Sequence, residues 1–437
     1  MNKILFENSN IEFIDGDRGK NYPKQEDFSD KGHCMFLSAK NVTSCGFNFD
    51  NKVFISSEKD NQLKAGKLKR NDIIITTRGT IGNVAIYDDK IPYNDVRINS
   101  GMLILRADSN KLDTKFLYYY LSSKEFKEQV NSLISGSAVP QLPIRDIKKL
   151  TLPNITKKQQ EKIANIISCF EDRIELNTQI NQTLEQIAQA LFKSWFVDFD
   201  PVRAKVQALS DGLSFEQAEL AAMQAISGKT PEELTALSQT QPERYAELAE
   251  TAKAFPCEMV EVDGVEVPKG WEVKRIDEVI QKIPVGKKYS SKTAFSEGLV
   301  PILDQGRSGV IGYHNDKPGI KASIEDPIIV FANHTCYMRL ISYDFSAIQN
   351  VFAFKGKECN LYWLYLATLG KQEFVEYKGH FPDFLIKEII APPKELTELF
   401  GKYIKESFSK IFINDRENSI LAKIRDLLLP KLLNGEI

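Results

Sequence analysis

The sequence predicts an α+β chain in which two mixed α/β domains are separated by two long α-helices that form an antiparallel coiled coil. Three observations carry this expectation. A series of motifs occurs twice at a spacing of about half the chain, a heptad seam follows each copy, and both seams hold asparagines at the same relative places. The 437 residues are 42% hydrophobic and 27% charged. That supports several packed cores and excludes a disordered or collagenous chain.

Residues 1–155 read as the first α/β domain. Its start carries Glu7, Glu12 and Asp15 where a signal peptide needs an unbroken apolar run. No stretch approaches the ~20 apolar residues that cross a bilayer, so the expectation is a cytoplasmic protein with no membrane partner. Asp72-Ile73-Ile74-Ile75-Thr76 reads as a strand and Phe116-Leu117-Tyr118-Tyr119-Tyr120-Leu121 as an aromatic helix. The run from Ser137 to Ile147, followed by Leu152-Pro153, closes the domain. The second copy lies in residues 268–393, opening at Pro268-Lys269-Gly270-Trp271. Its strand is Asp326-Pro327-Ile328-Ile329-Val330-Phe331, its aromatic helix Leu361-Tyr362-Trp363-Leu364-Tyr365-Leu366, and its closing run Gly379 to Ile389 before Pro392-Pro393. A solenoid would repeat every ~20–50 residues, so this is a duplicated module.

Residues 156–200 and 394–437 are the two long helices. In the first, Ile163, Phe170, Asn177, Leu184 and Leu191 alternate with Ile167, Ile174, Asn181, Ala188 and Trp195 at a 4-3 spacing. In the second, Phe400, Ser407, Asn414, Leu421 and Leu428 alternate with Ile404, Ile411, Asn418, Arg425 and Leu432. A buried amide needs a partner, and its best-attested use is to fix register. Antiparallel pairing sets Asn177 against Asn418, Asn181 against Asn414 and Leu184 against Ile411, like with like; a parallel pairing would also match the asparagines, and the antiparallel one is favoured because a two-fold-like arrangement of two similar modules needs it. Pro430 is expected to break or kink the second helix near its end. Residues 201–267 form a helical insert, with capping boxes at Ser214/Gln217 and Thr230/Glu233.

Enzyme signatures are missing: there is no phosphate loop, GxGxxG, GxSxG or HExxH. The six cysteines form no CxxC pair and the four histidines no HxH or HxxxH spacing, so no metal site is visible and the thiols read as reduced. The net charge of −2 gives no overall positive field. Residues 1–155 hold 23 Lys and Arg against 19 Asp and Glu, a mild basic excess. Loops beside strands do carry base-reading residue types, because Arg pairs with the guanine edge and Asn or Gln with the adenine edge. The candidates are Lys20, Arg78, Gly79, Thr80, Arg97, Asn99 and Gln141 in the first domain. In the second they are Gln305, Arg307, Asn333, His334 and Lys378.

The run Gln159-Gln160-Glu161-Lys162-Ile163-Ala164, the stretch Leu184-Glu185-Gln186-Ile187-Ala188-Gln189-Ala190-Leu191-Phe192-Lys193-Ser194-Trp195-Phe196-Val197-Asp198-Phe199-Asp200-Pro201 and the Pro268 to Trp271 opening resemble the specificity subunits of type I restriction-modification systems. The resemblance covers essentially the whole chain. It implies a non-catalytic DNA-recognition subunit whose two target-recognition domains each read half of a bipartite site in double-stranded DNA, with the paired helices as a ruler. It implies assembly with two methyltransferase subunits and with restriction subunits. It gives this chain no cofactor of its own, since S-adenosylmethionine, ATP and Mg belong to the partners. The Trp195 to Phe199 cluster is either a docking surface for a methyltransferase or core. The competing readings are a self-contained restriction or methylation enzyme and a coiled-coil scaffold with non-DNA ligands.

Overall fold

The computed structural model describes residues 2–44, 46–134, 141–262, 264–306, 309–376 and 378–436. They fall into two compact units, Met1–Leu176 with Glu417–Ile437, and Asn177–Arg416. The division therefore runs through both long helices.

The first unit contains β1 (Lys3–Leu5), β2 (Ile11–Asp15), β3 (Cys34–Leu37), β4 (Val42–Thr43), β5 (Gly46–Phe47), β6 (Phe54–Ile55), α1 (Ser57–Gln62), β7 (Asp72–Thr76), β8 (Val84–Tyr87), β9 (Val96–Ile98) and β10 (Met102–Ala107). Then come α2 (Thr114–Ser122), α3 (Lys124–Leu133), α4 (Ile144–Ile147), β11 (Thr151–Pro153) and the first part of α5 (Lys157–Phe196). An antiparallel sheet in the order β2-β10-β7-β8 forms its centre. Strand β7 is buried at every residue, as a run of three isoleucines requires when both faces are covered. Alternation sorts its side chains. Ile73 and Ile75 join Phe116, Leu117 and Tyr120 of α2 in one core; Ile74 joins Met35, Leu37, Val96 and Ile98 of a second sheet, β6-β3-β9, in another.

The second unit repeats this plan. After the remainder of α5 come α6 (Asp200–Ser210), α7 (Phe215–Ser227), α8 (Pro231–Thr240) and α9 (Pro242–Ala254), then a hairpin of β12 (Met259–Val262) and β13 (Val265–Pro268). Both capping boxes of the insert are formed. The domain proper holds β14 (Glu272–Arg275), α10 (Ile276–Val279), β15 (Ile280–Ile283), β16 (Lys288–Tyr289), β17 (Val300–Leu303), β18 (Val310–His314), β19 (Ile328–Ala332), β20 (Met338–Ile341), β21 (Ser346–Ile348) and β22 (Val351–Gly356). It ends in α11 (Leu361–Thr368), α12 (Phe381–Leu385) and β23 (Glu388–Ala391), and α13 (Lys394–Asn434) begins in this unit and ends in the first. The central sheet β15-β22-β19-β20 has the same order and pairing as in the first unit. Ile329 and Phe331 face the aromatic side chains of α11 and α12, while Ile328 and Val330 face the sheet β16-β21-β17-β18. The short pair β14-β23 repeats β1-β11.

Within each unit the two long helices run antiparallel. In the first, Arg425 pairs with Glu171 at 2.6 Å and Arg173 with Glu417 at 2.9 Å. In the second, Asn414 Nδ2 donates to Asn181 Oδ1 at 2.8 Å, and Asn181 Nδ2 donates to Asp415 Oδ1 at 2.7 Å. Further along, the Phe192 and Trp195 rings lie 6.0 and 5.3 Å from Phe400. The expected Asn181–Asn414 layer is thus formed. A pairing of Asn177 with Asn418 would join one unit to the other and stays an expectation. Asn414 Oδ1 is buried without a partner among the described residues, so this layer costs stability. Replacing Asn181 and Asn414 together by leucine should raise the melting temperature while the helix register loosens. A double-mutant cycle should give a coupling between them of about 0.5–3 kcal/mol.

One expectation, a break at Pro430, needs correction, and one open alternative, the place of the Trp195 to Phe199 cluster, is decided. Pro430 does not end α13, which continues to Asn434. One turn beyond the proline, Leu432 and Leu433 are buried with Leu429 in the same core as Ile163 and Ile167, which holds that turn despite the lost hydrogen bond. The Trp195 to Phe199 cluster is core: Trp195, Phe196 and Phe199 are all buried, and Val197 alone of its apolar residues is exposed.

Candidate functional site

In both units the central strand of the main sheet runs into an exposed loop, and the same two backbone hydrogen bonds tie that loop down. In the first unit Thr77 N–H donates to Gly101 O (2.8 Å) and Leu142 N–H to Thr77 O (3.0 Å). In the second, Asn333 N–H donates to Asn350 O (2.9 Å) and His380 N–H to Asn333 O (2.9 Å). The first residue after the strand, a turn between two other strands and the segment before a short helix therefore meet at one point in each unit.

Around this point in the first unit, Arg78, Gly79, Thr80 and Gln141 are exposed, and Arg78 bridges to Gln141 through the backbone. The loop is held by the Thr76 hydroxyl, which donates to Thr80 O, and by Gly82 N–H, which donates to Thr76 O at 2.9 Å. Gly79 and Gly82 have φ of +74° and +83°, conformations that favour glycine. A cleft of about 300 Å³ here is lined by Asp15, Arg18, Arg78, Gln141 and Arg145, among others. Gly16 is needed beside it, because a Cβ there would lie 2.3 Å from Asn99 O. Lys20 is exposed on the loop after β2. Asn99 builds the turn: its Oδ1 accepts from Gly101 N–H at 2.9 Å.

Arg97 lies elsewhere. It sits in β9, is 6% exposed, and pairs with Asp60 at 2.5 Å. Its other donors go to the carbonyls of Asp60, Leu63 and Ala65, so this guanidinium is committed to the fold. Burial alone would push the Asp60 carboxyl up, but the hydrogen bonds and charges of Lys67 and Arg97 hold it below the ordinary carboxylate value. His33, Asp60 and Asp95 come within 4.8 Å of one another, a grouping that the spacing of the histidines gave no sign of. Lys67 Nζ fills the space a cation would take, 2.7 Å from Asp60 and 2.9 Å from Asp95.

In the second unit most of the expected residues are supports. Asn333 is buried, and its Oδ1 accepts from Phe381 N–H at 2.8 Å. Gln305 Oε1 accepts from His334 N–H at 2.8 Å, and Gln305 O from the Thr335 hydroxyl at 2.6 Å. Lys378 is exposed between Glu376 and Asp383. Arg307 lies outside the described residues. Asn350, which the sequence did not single out, stands at the centre of this loop cluster beside His334. Its one sequence signal is an asparagine in a tight turn between two strands, where it adopts φ +69°.

A second constellation imitates a hydrolase. His314 Nε2 lies 2.9 Å from Ser346 Oγ, with Asp316 next to the ring. The Asp316 backbone N–H, however, donates to His314 Nδ1 at 3.0 Å, so the ring hydrogen sits on Nε2 and points at the serine. Burial holds this imidazole below its ordinary pKa, and Ser346 has no exposed surface. A neutral ring donating to a buried hydroxyl cannot act as the base for a nucleophile.

Residues 10–186 match the type I restriction modification DNA specificity domain. The chain is 39% identical to the HindI specificity subunit of Haemophilus influenzae, over 98% of this chain and 99% of that one. It is 25% identical to the MjaIX specificity subunit of Methanocaldococcus jannaschii, over 84% and 78%. In fold it is similar to the type I restriction-modification S subunit from M. genitalium, with a TM-score of 0.50 and 18% identity over 99% of this chain and 95% of that one.

Proposed function

We propose, from the premise that this chain belongs to the family of type I restriction-modification DNA specificity subunits, that residues 1–155 and 268–393 are target-recognition domains, each reading one half of a bipartite site in double-stranded DNA. The helices of residues 156–200 and 394–437 set the length of the unread spacer, and the insert of 201–267 is a connection on one side. The observation that carries this reading is the repeated scaffold with unlike loop tips. Identical hydrogen bonds present Arg78 and Gln141 in one unit, and Asn350 and His334 in the other. A fixed frame with variable loops is how one fold serves two sequences. Lys20 and Lys378 are assigned to phosphate contacts, which position the protein without reading bases.

Belonging to such a complex implies partner subunits. Two methyltransferase subunits and the restriction subunits are the partners proposed here, with S-adenosylmethionine, ATP and Mg held by them. Ile420, Ile424 and Leu427 of α13 are exposed at a 4-3 spacing outside the seam, an apolar stripe suited to a partner helix. Among the described residues no helix is long and apolar enough to cross a membrane, and we assign the complex to the cytoplasm. The test is to map methylated sites in cells expressing the chain with its methyltransferase subunits. A two-part motif with a gap of constant length is expected; a contiguous motif, or methylation by the purified chain alone, would overturn the proposal.

A further inference from the structure

We infer that the two units read different bases from equivalent scaffold positions, with Asn350 reading an adenine edge in the second unit and Arg78 a guanine edge in the first. This rests on the function proposed above and goes beyond it by naming the reading atoms.

In the second unit the ring of His334 fixes the Asn350 amide. His334 Nδ1 is 2.7 Å from Lys378 O, a carbonyl that only accepts, so Nδ1 carries the hydrogen. Nε2 is then an acceptor, and Asn350 Nδ2 donates to it at 3.2 Å. That contact uses one amide hydrogen. The other hydrogen and Oδ1 form a side-by-side donor and acceptor, the pattern that matches N6 and N7 of adenine. No further hydrogen bond is made by that amide among the described residues. The backbone beneath it is fixed, since Asn350 O accepts from Asn333 N–H and the residue sits at φ +69°. His334, proposed from sequence as a DNA contact, is by this geometry a positioning residue.

In the first unit the position equivalent to Asn350 is Gly101, as the shared hydrogen bond defines it. A Cβ on Gly101 would lie 3.8 Å from the Arg78 Cβ and 3.2 Å from Asn99 Oδ1. The reading position is therefore empty in this unit, and the neighbouring residue takes its place. Arg78 is anchored through its backbone N–H to Gly101 O at 3.2 Å while its side chain is exposed. Its guanidinium makes no hydrogen bond or ion pair among the described residues, whereas Arg18, Arg70, Arg97 and Arg106 are all paired with carboxylates. Parallel N–H donors match O6 and N7 of guanine.

The experiment expresses the full chain with its methyltransferase subunits and reads the methylated motif by sequencing. Asn350→Asp keeps the size of the side chain but replaces its donor by a second acceptor. It should lower the preference for one A·T pair in one half of the motif by roughly tenfold or more, with the other half unchanged. Arg78→Ala should do the same at one G·C pair in the opposite half. His334→Ala should relax the same pair as Asn350→Asp, and more weakly, which general destabilisation would not confine to one position. If Asn350→Asp does not accumulate, Asn350→Ser is read by the same criterion. A motif unchanged by the Asn350 substitutions, or relaxed at a G·C pair or in the Arg78 half, overturns the inference. A native chain with no two-part motif would instead overturn the function it rests on.

Discussion

Replacing Trp195 by alanine should destabilise the second unit by about 3–5 kcal/mol, the cost of emptying a large, fully buried aromatic site. The side chain has no exposed surface. Its ring makes edge contacts with Phe255 at 5.4 Å and Phe400 at 5.3 Å, and a tilted one with Tyr403 at 5.6 Å. It thus joins α5, the end of the helical insert and α13, three segments distant in sequence. Phe196 continues the cluster to Trp271 and Trp363, with ring centroids 5.7 and 6.2 Å away. Trp195→Phe should cost much less, because it keeps most of the apolar contact and removes an indole N–H that has no partner among the described residues. Urea unfolding of the two variants beside the native chain measures this. A loss below about 1 kcal/mol for Trp195→Ala would mean that the cluster is not the core it forms here.

Features with a strong local period were legible from sequence. The heptads of both long helices, with Asn181 and Asn414 each at a seam position of its own helix, and the capping boxes at Ser214 and Thr230 are read from residues within a turn or two of one another. The duplication was legible because a strand, an aromatic helix and a closing run recur in the same order at a spacing of about half the chain. What was hidden depends on distant partners. Arg97 looked like a loop arginine, but its strand position aims it at Asp60, 37 residues earlier. Gln305 and Asn333 carry base-reading amides, and tertiary contacts use both to hold loops. Asn350 gave only a two-residue turn as a signal, and its place next to His334 follows from the pairing of β22 with β19. The boundary between the units at Leu176 and Glu417 was invisible for the opposite reason, since the helical period continues through it without a break.

The separation of the two readers is the claim on which the proposed function turns, and it is open to one direct measurement. Deleting residues 177–183 from α5 and 414–420 from α13 removes one heptad from each helix. Ile174 then precedes Leu184 and Ile411 precedes Leu421 in the original 4-3 frame. The paired rods shorten by roughly 10 Å at 1.5 Å per residue, at most about three base pairs of B-DNA at ~34 Å per turn. Methylation mapping of cells carrying this variant and its methyltransferase subunits should return the native half-sites with a shorter gap between them. Native half-sites with an unchanged gap would contradict the ruler and leave the two long helices a merely structural role.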